Sequence, residues 1–203
     1  MLTLYTNPMS RGRIARWMLE EVGQPYDAVM LDFATTMKAP DYLAINPMGK
    51  VPAIRHDDVI VTECAAICAY LADAFPDAGL APPPGSPERG AYYRWLFFAA
   101  GPVEAATIDK ALGVTVPADK RSLVGYASYD EMVDVLDRHL SAHDYAAGPG
   151  FTAADVYLGA QIGLGLQFGT LPKCASFEAY DARLSARPAF LRAKAMDDGL
   201  MAA

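Results

Sequence analysis

Several things are scarce in this chain. It has three cysteines, three histidines and two tryptophans in 203 residues. An odd number of cysteines with no metal-like spacing points to a reducing compartment, the cytoplasm by default. His56, His139 and His143 offer only one i, i+4 pair, expected on a solvated helix end, so no metal is expected. No uninterrupted apolar stretch is long enough to span a bilayer. The opening Met1-Leu2-Thr3-Leu4-Tyr5 lacks the charged start and apolar core of a secretory signal and reads as a strand at once. Positive charge is in deficit, 17 Lys and Arg against 24 Asp and Glu, and the net charge of −7 argues against nucleic acid or an anionic membrane as partner. No repeat and no low-complexity tract occurs.

What remains is an ordinary globular composition, 53% hydrophobic and 20% charged, long enough for one large or two small domains. The chain is organised around residues 46–71, NPMGKVPAIRHDDVIVTECAAICAYL. Pro52 stands where a strand begins, a position in a sheet that proline tolerates. Residues 52–55 read as a strand, Asp57-Asp58 as a tight polar turn, and residues 59–61 as the antiparallel return. Thr62 and Glu63 then open a helix whose apolar positions Ile67, Tyr70, Leu71, Ala74 and Phe75 keep helical spacing. A carboxylate and free backbone N–H groups thus meet at one helix start, beside a backbone held open by proline. That suits a small peptide-like ligand carrying an amine and a carboxylate.

Upstream, residues 2–6 read as a strand. Asn7-Pro8-Met9 turns the chain into a helix marked by Ile14, Trp17, Met18 and Val22 and stopped by Gly23. Residues 26–31 make a second strand, so the chain opens β-α-β with a parallel crossover. Residues 32–45 are less regular, with a distorted helix around residues 38–43.

Residues 77–89 hold four prolines and two glycines and read as a stiff linker. Beyond it every pattern is helical: residues 88–106, bent at Gly101-Pro102; residues 120–142, with Met132, Val133, Leu136 and Leu140 on one face; residues 152–168; residues 176–186; and residues 188–196. Thr152-Ala153-Ala154-Asp155 is a capping box with aspartate at its end, flanked by Phe151 and Val156 as a hydrophobic staple.

The run Val51-Pro52-Ala53-Ile54, the acidic Glu63 that follows and the Thr152…Asp155 box in a helical second half together resemble the glutathione S-transferase family over nearly the whole chain. The resemblance implies an α/β plus all-α fold. Residues 1–76 would be a thioredoxin-like β-α-β-α-β-β-α domain that binds glutathione, 77–87 a linker and 88–203 an all-helical domain. It further implies a cis peptide before Pro52, with the backbone of Val51 pairing with the cysteinyl part of glutathione. Glu63 and Cys64 would hold its γ-glutamyl end. Cys64 departs from the family's serine, although its backbone N–H can still serve. Homodimers and a small apolar electrophile as second partner are implied in the same way.

Glutathione reacts as its thiolate. Lowering a thiol pKa of about 8.5 by about two units takes roughly 2.7 kcal/mol of extra stabilisation of the anion. In the family that comes from a hydroxyl or thiol in the loop after the first strand, here residues 7–13. Ser10 fits the role and equally fits a plain helix N-cap; Tyr5, in the strand and expected to point into the core, is a weaker rival. Arg11 and Arg13 oppose the dipole of the helix they begin. Each either pairs with Glu20, Glu21 or a nearby acid, or, for Arg11, faces the thiolate or an anionic co-substrate. Lys38 and Lys50 are candidates for the glycine carboxylate, with solvated surface lysines as the alternative. Cys64 at a helix start could itself enter a mixed disulfide, or, like Cys68, simply be a small buried residue. The second substrate would lie between Met9 and the bent helix, where Phe97, Phe98 and Glu104 are candidates, and core packing is the alternative for the aromatics. Two other functions remain open: a glutathione-dependent reductase or peroxidase, which the lack of C-x-x-C weighs against, and a non-catalytic binding module.

Overall fold

The computed structural model describes residues 1–202. It opens with β1 (Leu2–Thr6), α1 (Gly12–Val22) and β2 (Tyr26–Met30), then a 3-10 turn at Thr36–Lys38 and the short α2 (Pro40–Leu43). β3 (Ala53–His56), β4 (Val59–Thr62) and α3 (Cys64–Ala74) follow. The sheet order is β2-β1-β3-β4, with β1 parallel to β2 and antiparallel to β3. This is the expected thioredoxin-like arrangement, and a helical C-terminal region follows it. Leu4 and Ile54 on the sheet, Met18 and Leu19 on α1, and Ile67 and Leu71 on α3 are fully buried. Gly23 stops α1 in the left-handed conformation, φ 73°, its N–H donating to the Leu19 carbonyl. Tyr5 is only half-buried, its ring 5.8 Å from that of Tyr42, beside a small core of Leu31, Met37 and Ala53.

The helical part begins at Pro87, after a 3-10 turn at Pro76–Ala78. α4 (Pro87–Phe98) passes through a π-helical segment, Ala99–Val103, into α5 (Glu104–Leu112). The expected bend at Pro102 is therefore a widened turn in a continuous helix, which absorbs the missing proline N–H. The helix ends at Gly113, φ 70°, beyond the expected residue 106. The helix expected over 120–142 starts only at Tyr129. Residues Ala118–Leu123 are 3-10, Ala127 turns at φ 56°, and Ser128 Oγ accepts the Glu131 N–H at 3.2 Å. Ser128-x-x-Glu131 is itself a helix-start signature that the apolar spacing hid. α6 (Tyr129–Ala142), α7 (Ala153–Phe168), α8 (Ala175–Ser185) and α9 (Pro188–Ala202) complete the chain. No described helix is long and apolar enough to cross a membrane.

The capping box forms as expected. The Asp155 carboxylate accepts the Thr152 N–H at 2.8 Å and its hydroxyl at 2.9 Å, and also takes the Ala146 N–H and the Tyr180 hydroxyl, both at 2.7 Å. Burial pushes this carboxyl up, against the pull of those donors. His139 is not on a solvated helix end. It is half-buried and stacked on Trp95 with ring centroids 3.9 Å apart, while its Nε2 donates to the Ala146 carbonyl.

The chain divides into two compact units, one of Met1–Leu80 with the segment from Ala186 onward, the other Ala81–Ser185. The last helix thus groups with the first eighty residues, where the expected division kept it within 88–203. α9 packs antiparallel on α1, and ion pairs join α1 to α9 and to the residue before it. Arg13 pairs with Asp198, Arg16 with Asp197, Glu20 with Arg192 and Glu21 with Arg187, and the Trp17 ring stands edge-on to Phe190.

Candidate glutathione site

The sheet register shows where the sequence candidates converge. Tyr5 lies opposite Ala53, and Ala53 opposite Thr62. Because β3 runs antiparallel to both neighbours, β1 ends, β3 begins and β4 ends on the same side of the sheet. The loop of residues 7–11, the Val51-Pro52 step and the start of α3 therefore share one end of the sheet. The Cys64 thiol joins two of them by donating to the Arg11 carbonyl at 3.5 Å.

Two Asn-Pro dipeptides shape this end in the same way. Asn7 Oδ1 accepts the Met9 N–H at 2.9 Å, and Asn46 Oδ1 accepts the Met48 N–H at 3.1 Å, a side-chain turn that asparagine supplies. The Asn7 amide also donates to the Leu31 carbonyl, and the Asn46 amide to the Lys50 carbonyl, both at 2.8 Å. The Tyr42 hydroxyl reaches the Lys50 carbonyl as well, at 2.6 Å. The sequence marked Asn7-Pro8 as a turn but singled out neither Asn46 nor Tyr42; the second Asn-Pro is a turn signal that could have found Asn46, while nothing local points to Tyr42.

On this frame Val51-Pro52 is a cis peptide, and Val51 lies outside the ladder, which starts at Ala53. Glu63 is the residue before α3, with its side chain exposed and its backbone at φ 66°, ψ 120°. A non-glycine residue at positive φ stores about 1–3 kcal/mol, a kind of strain that gathers at ligand-binding positions. Cys64 is buried at the first helical position, and Cys68 is buried one turn on, where burial holds its thiol well above the usual range.

Ser10 is half-buried just before α1. Its hydroxyl donates to the Asn7 carbonyl at 2.7 Å and accepts the Gly12 N–H at 2.9 Å. Gly12 is required there, because a Cβ would stand 1.9 Å from Thr6 Oγ1. Arg11 is exposed and stands at the N-cap position of the same helix, with no side-chain capping bond. Arg13 does not meet Glu20 or Glu21, which Arg192 and Arg187 occupy; its partners are Asp198 and the Pro8 carbonyl. The Lys38 ammonium is spent on the Gly49 carbonyl at 2.7 Å and the Met48 carbonyl at 3.4 Å, whereas that of Lys50 is exposed. Met9 is 77% exposed at the tip of its loop.

Phe98 and Glu104 belong to the other unit and flank the π-helical turn. Phe98 is half-buried with its ring edge-on to Trp95, and Phe97 is largely exposed. The Glu104 carboxylate accepts the Tyr157 hydroxyl at 2.7 Å, which ties α5 to α7.

Two helix starts and an open backbone edge at one end of a sheet can hold a short peptide carrying both charges. Comparison with known proteins agrees. Residues 1–73 match the family model described as the glutathione S-transferase N-terminal domain. The chain is 31% identical over 163 residues to glutathione S-transferase GST-4.5 of Xanthomonas campestris pv. campestris, a match covering 77% of this chain and 79% of that one. It is 29% identical over 160 residues to GstA of Escherichia coli O157:H7, with the same coverage of each chain. Among solved structures it is similar to a sphingomonad glutathione S-transferase complexed with glutathione, at TM-score 0.78 and 30% identity over 97% of this chain and 98% of that one. A transferase from Xylella fastidiosa gives TM-score 0.79 and 26% identity over 98% and 99%. The chain belongs to the glutathione S-transferase family.

Proposed function

We propose that this chain is a glutathione transferase that ionises the thiol of bound glutathione and directs it at a small apolar electrophile. The observation that carries the reading is the Ser10 hydroxyl just before α1, on the end of the sheet where Val51-Pro52 and Glu63 also lie. Residues 1–76 are read as the glutathione domain. Val51 takes the cysteinyl backbone, Glu63 and the Cys64 N–H the γ-glutamyl end, and Lys50, with Lys38 behind it, the glycine carboxylate. Met9, Phe98 and Glu104 would border the electrophile, the last two from the helical domain, 88–203. Arg11 adds positive charge near the thiolate. No metal enters this reading, and a cytoplasmic homodimer working in detoxification is its expected setting.

Ser10 can change partners at small cost. If its hydroxyl turns from the Asn7 carbonyl to a thiolate, that carbonyl keeps the Ser10 N–H at 3.1 Å. The bond given up is worth about 1 kcal/mol, against the roughly 2.7 kcal/mol that two pKa units require, and a hydrogen bond to an anion is the stronger one.

The test is the ultraviolet thiolate absorbance of bound glutathione against pH, in the wild type and in Ser10→Ala. A thiol pKa well below 8.5 in the wild type that returns toward this value in the variant supports the reading. A low value that survives the substitution moves the donor elsewhere, with Arg11 next. Failure to bind glutathione overturns the catalytic reading and favours a binding module.

A further inference from the structure

Arg13 is a cation in the first turn of α1, where the helix dipole disfavours it. Its guanidinium bridges two distant pieces of chain. Nε donates to the Pro8 carbonyl at 2.6 Å, inside the loop that carries Ser10. Nη2 donates to Asp198 Oδ1 at 2.8 Å on α9 and lies 3.5 Å from Met201 Sδ. The second Asp198 oxygen takes the Lys194 ammonium one turn back, and these two cations hold the carboxyl below the usual range. On the opposite side Asn7 is tied to the Leu31 carbonyl. The loop that aims Ser10 is therefore held by Asn7 from Leu31, the residue after β2, and by Arg13 from the C-terminal helix.

We infer that Asp198 is a positioning residue for Ser10, acting through Arg13 and the Pro8 carbonyl to fix the loop from which the hydroxyl reaches the glutathione sulfur. The inference rests on the Ser10 reading above. A planar fork suits the task, because one rigid group spans the carbonyl and the carboxylate together. The Glu20–Arg192 pair links the same two helices, but Glu20 lies eight residues along α1 from Gly12, about 12 Å from the loop at 1.5 Å per residue. It is the natural control.

The experiment compares Asp198→Ala, Asp198→Asn, Arg192→Ala, Ser10→Ala and the Ser10→Ala/Asp198→Ala double variant, each checked for folding by circular dichroism and thermal midpoint. The readouts are the pKa of the bound glutathione thiol and kcat/KM with a chlorodinitrobenzene as probe electrophile. Charge alone gives the opposite sign from positioning, since removing Asp198 leaves Arg13 uncompensated and would favour the thiolate. Positioning predicts that Asp198→Ala raises the thiol pKa by about one unit, with a loss in kcat/KM of roughly tenfold at neutral pH. The loss should recover in alkali, and KM for glutathione should change little. Asp198→Asn, which keeps the acceptor for Arg13, and Arg192→Ala should stay near the wild type, and Asp198→Ala should add nothing to Ser10→Ala. A thiol pKa that Asp198→Ala leaves unchanged or lowers, an equal shift in Arg192→Ala, or a further shift on top of Ser10→Ala overturns the inference. If Ser10→Ala itself leaves the thiol pKa in place, the Ser10 reading fails and this inference falls with it. That result is distinct from a silent Asp198→Ala in an enzyme that responds to Ser10→Ala.

Discussion

Arg16 and Asp197 form a buried ion pair across α1 and α9, Nε to Oδ1 at 2.9 Å, with both side chains almost wholly withdrawn from solvent. Burial acts on both ends. It opposes the charge on Arg16, whose pKa is nevertheless raised because Asp197 and the Tyr26 hydroxyl favour the guanidinium. At Asp197 burial wins, and the carboxyl is pushed up despite Arg16 beside it. The two directions pull against each other, and the carboxyl is the end that titrates, since a guanidinium stays protonated throughout.

The first prediction concerns this pair. Asp197→Ala leaves a buried guanidinium without its counter-charge and should destabilise the fold by about 3–5 kcal/mol. Replacing both partners, Arg16→Met with Asp197→Leu, should recover most of that, because a well-packed apolar pair often matches a buried ion pair. Urea unfolding of the wild type and these two variants checks it. An equal loss in the double variant would show that the cost of Asp197→Ala does not come from the uncompensated charge of Arg16.

Gly12→Ala should cost about 1–3 kcal/mol, the usual range for overpacking. The new Cβ would stand 1.9 Å from Thr6 Oγ1, in a side chain with no exposure to retreat into. Thr6 Oγ1 makes no hydrogen bond, so Thr6→Ala alone should be mild. Adding it to Gly12→Ala should restore part of the loss, a coupling that a double-mutant cycle measures.

Glu63→Gly should separate stability from binding. Removing the positive-φ strain returns about 1–3 kcal/mol, and the added freedom of glycine in the unfolded chain takes back about 0.5–1 kcal/mol. The net expectation is a gain of about 1 kcal/mol in urea unfolding together with weaker glutathione binding by calorimetry. A loss of stability would mean that the carboxylate itself supports the start of α3.

His139 should make stability fall in mild acid. Burial lowers its pKa, helped by His143 and Arg94 and opposed by the bond to the Ala146 carbonyl. The unfolded chain therefore binds this proton first. The stability that a neutral His139 contributes is complete above about pH 6.5 and is lost as the pH falls from there toward the lower folded-state value. His139→Gln, which can still donate to Ala146, should flatten the change in urea midpoint between about pH 7 and about pH 5.5. Trp95 fluorescence offers a second readout, since the imidazole is stacked on its ring.

Much of the fold was legible because its signals are local. Alternating apolar residues, Gly23 after α1, the proline just before the third strand and the Thr152…Asp155 box each act within a few residues, and the structure carries all of them. Local signals also misled where two of them competed. The apolar face around Met132 and Leu136 hid the Ser128…Glu131 start, and Pro102, read as a bend, widened one turn without ending the helix. At the candidate site the sequence supplied the residue types of Ser10, Val51, Pro52 and Glu63. It did not reveal the bonds that the Asn7, Tyr42 and Asn46 side chains donate to backbone carbonyls, because those depend on where the chain folds back.

By itself the sequence determined the order of elements, since periodicity and the spacing of a few turn and cap residues are properties of neighbours along the chain, and its motifs carried the resemblance to the family. Only the tertiary structure decided the partners of the charges. Arg13, Arg16, Glu20 and Glu21 look like the ordinary charged positions of an exposed helix face. Their counter-charges lie between residues 187 and 198, and an ion pair requires proximity in space, which only the packing of α9 on α1 creates.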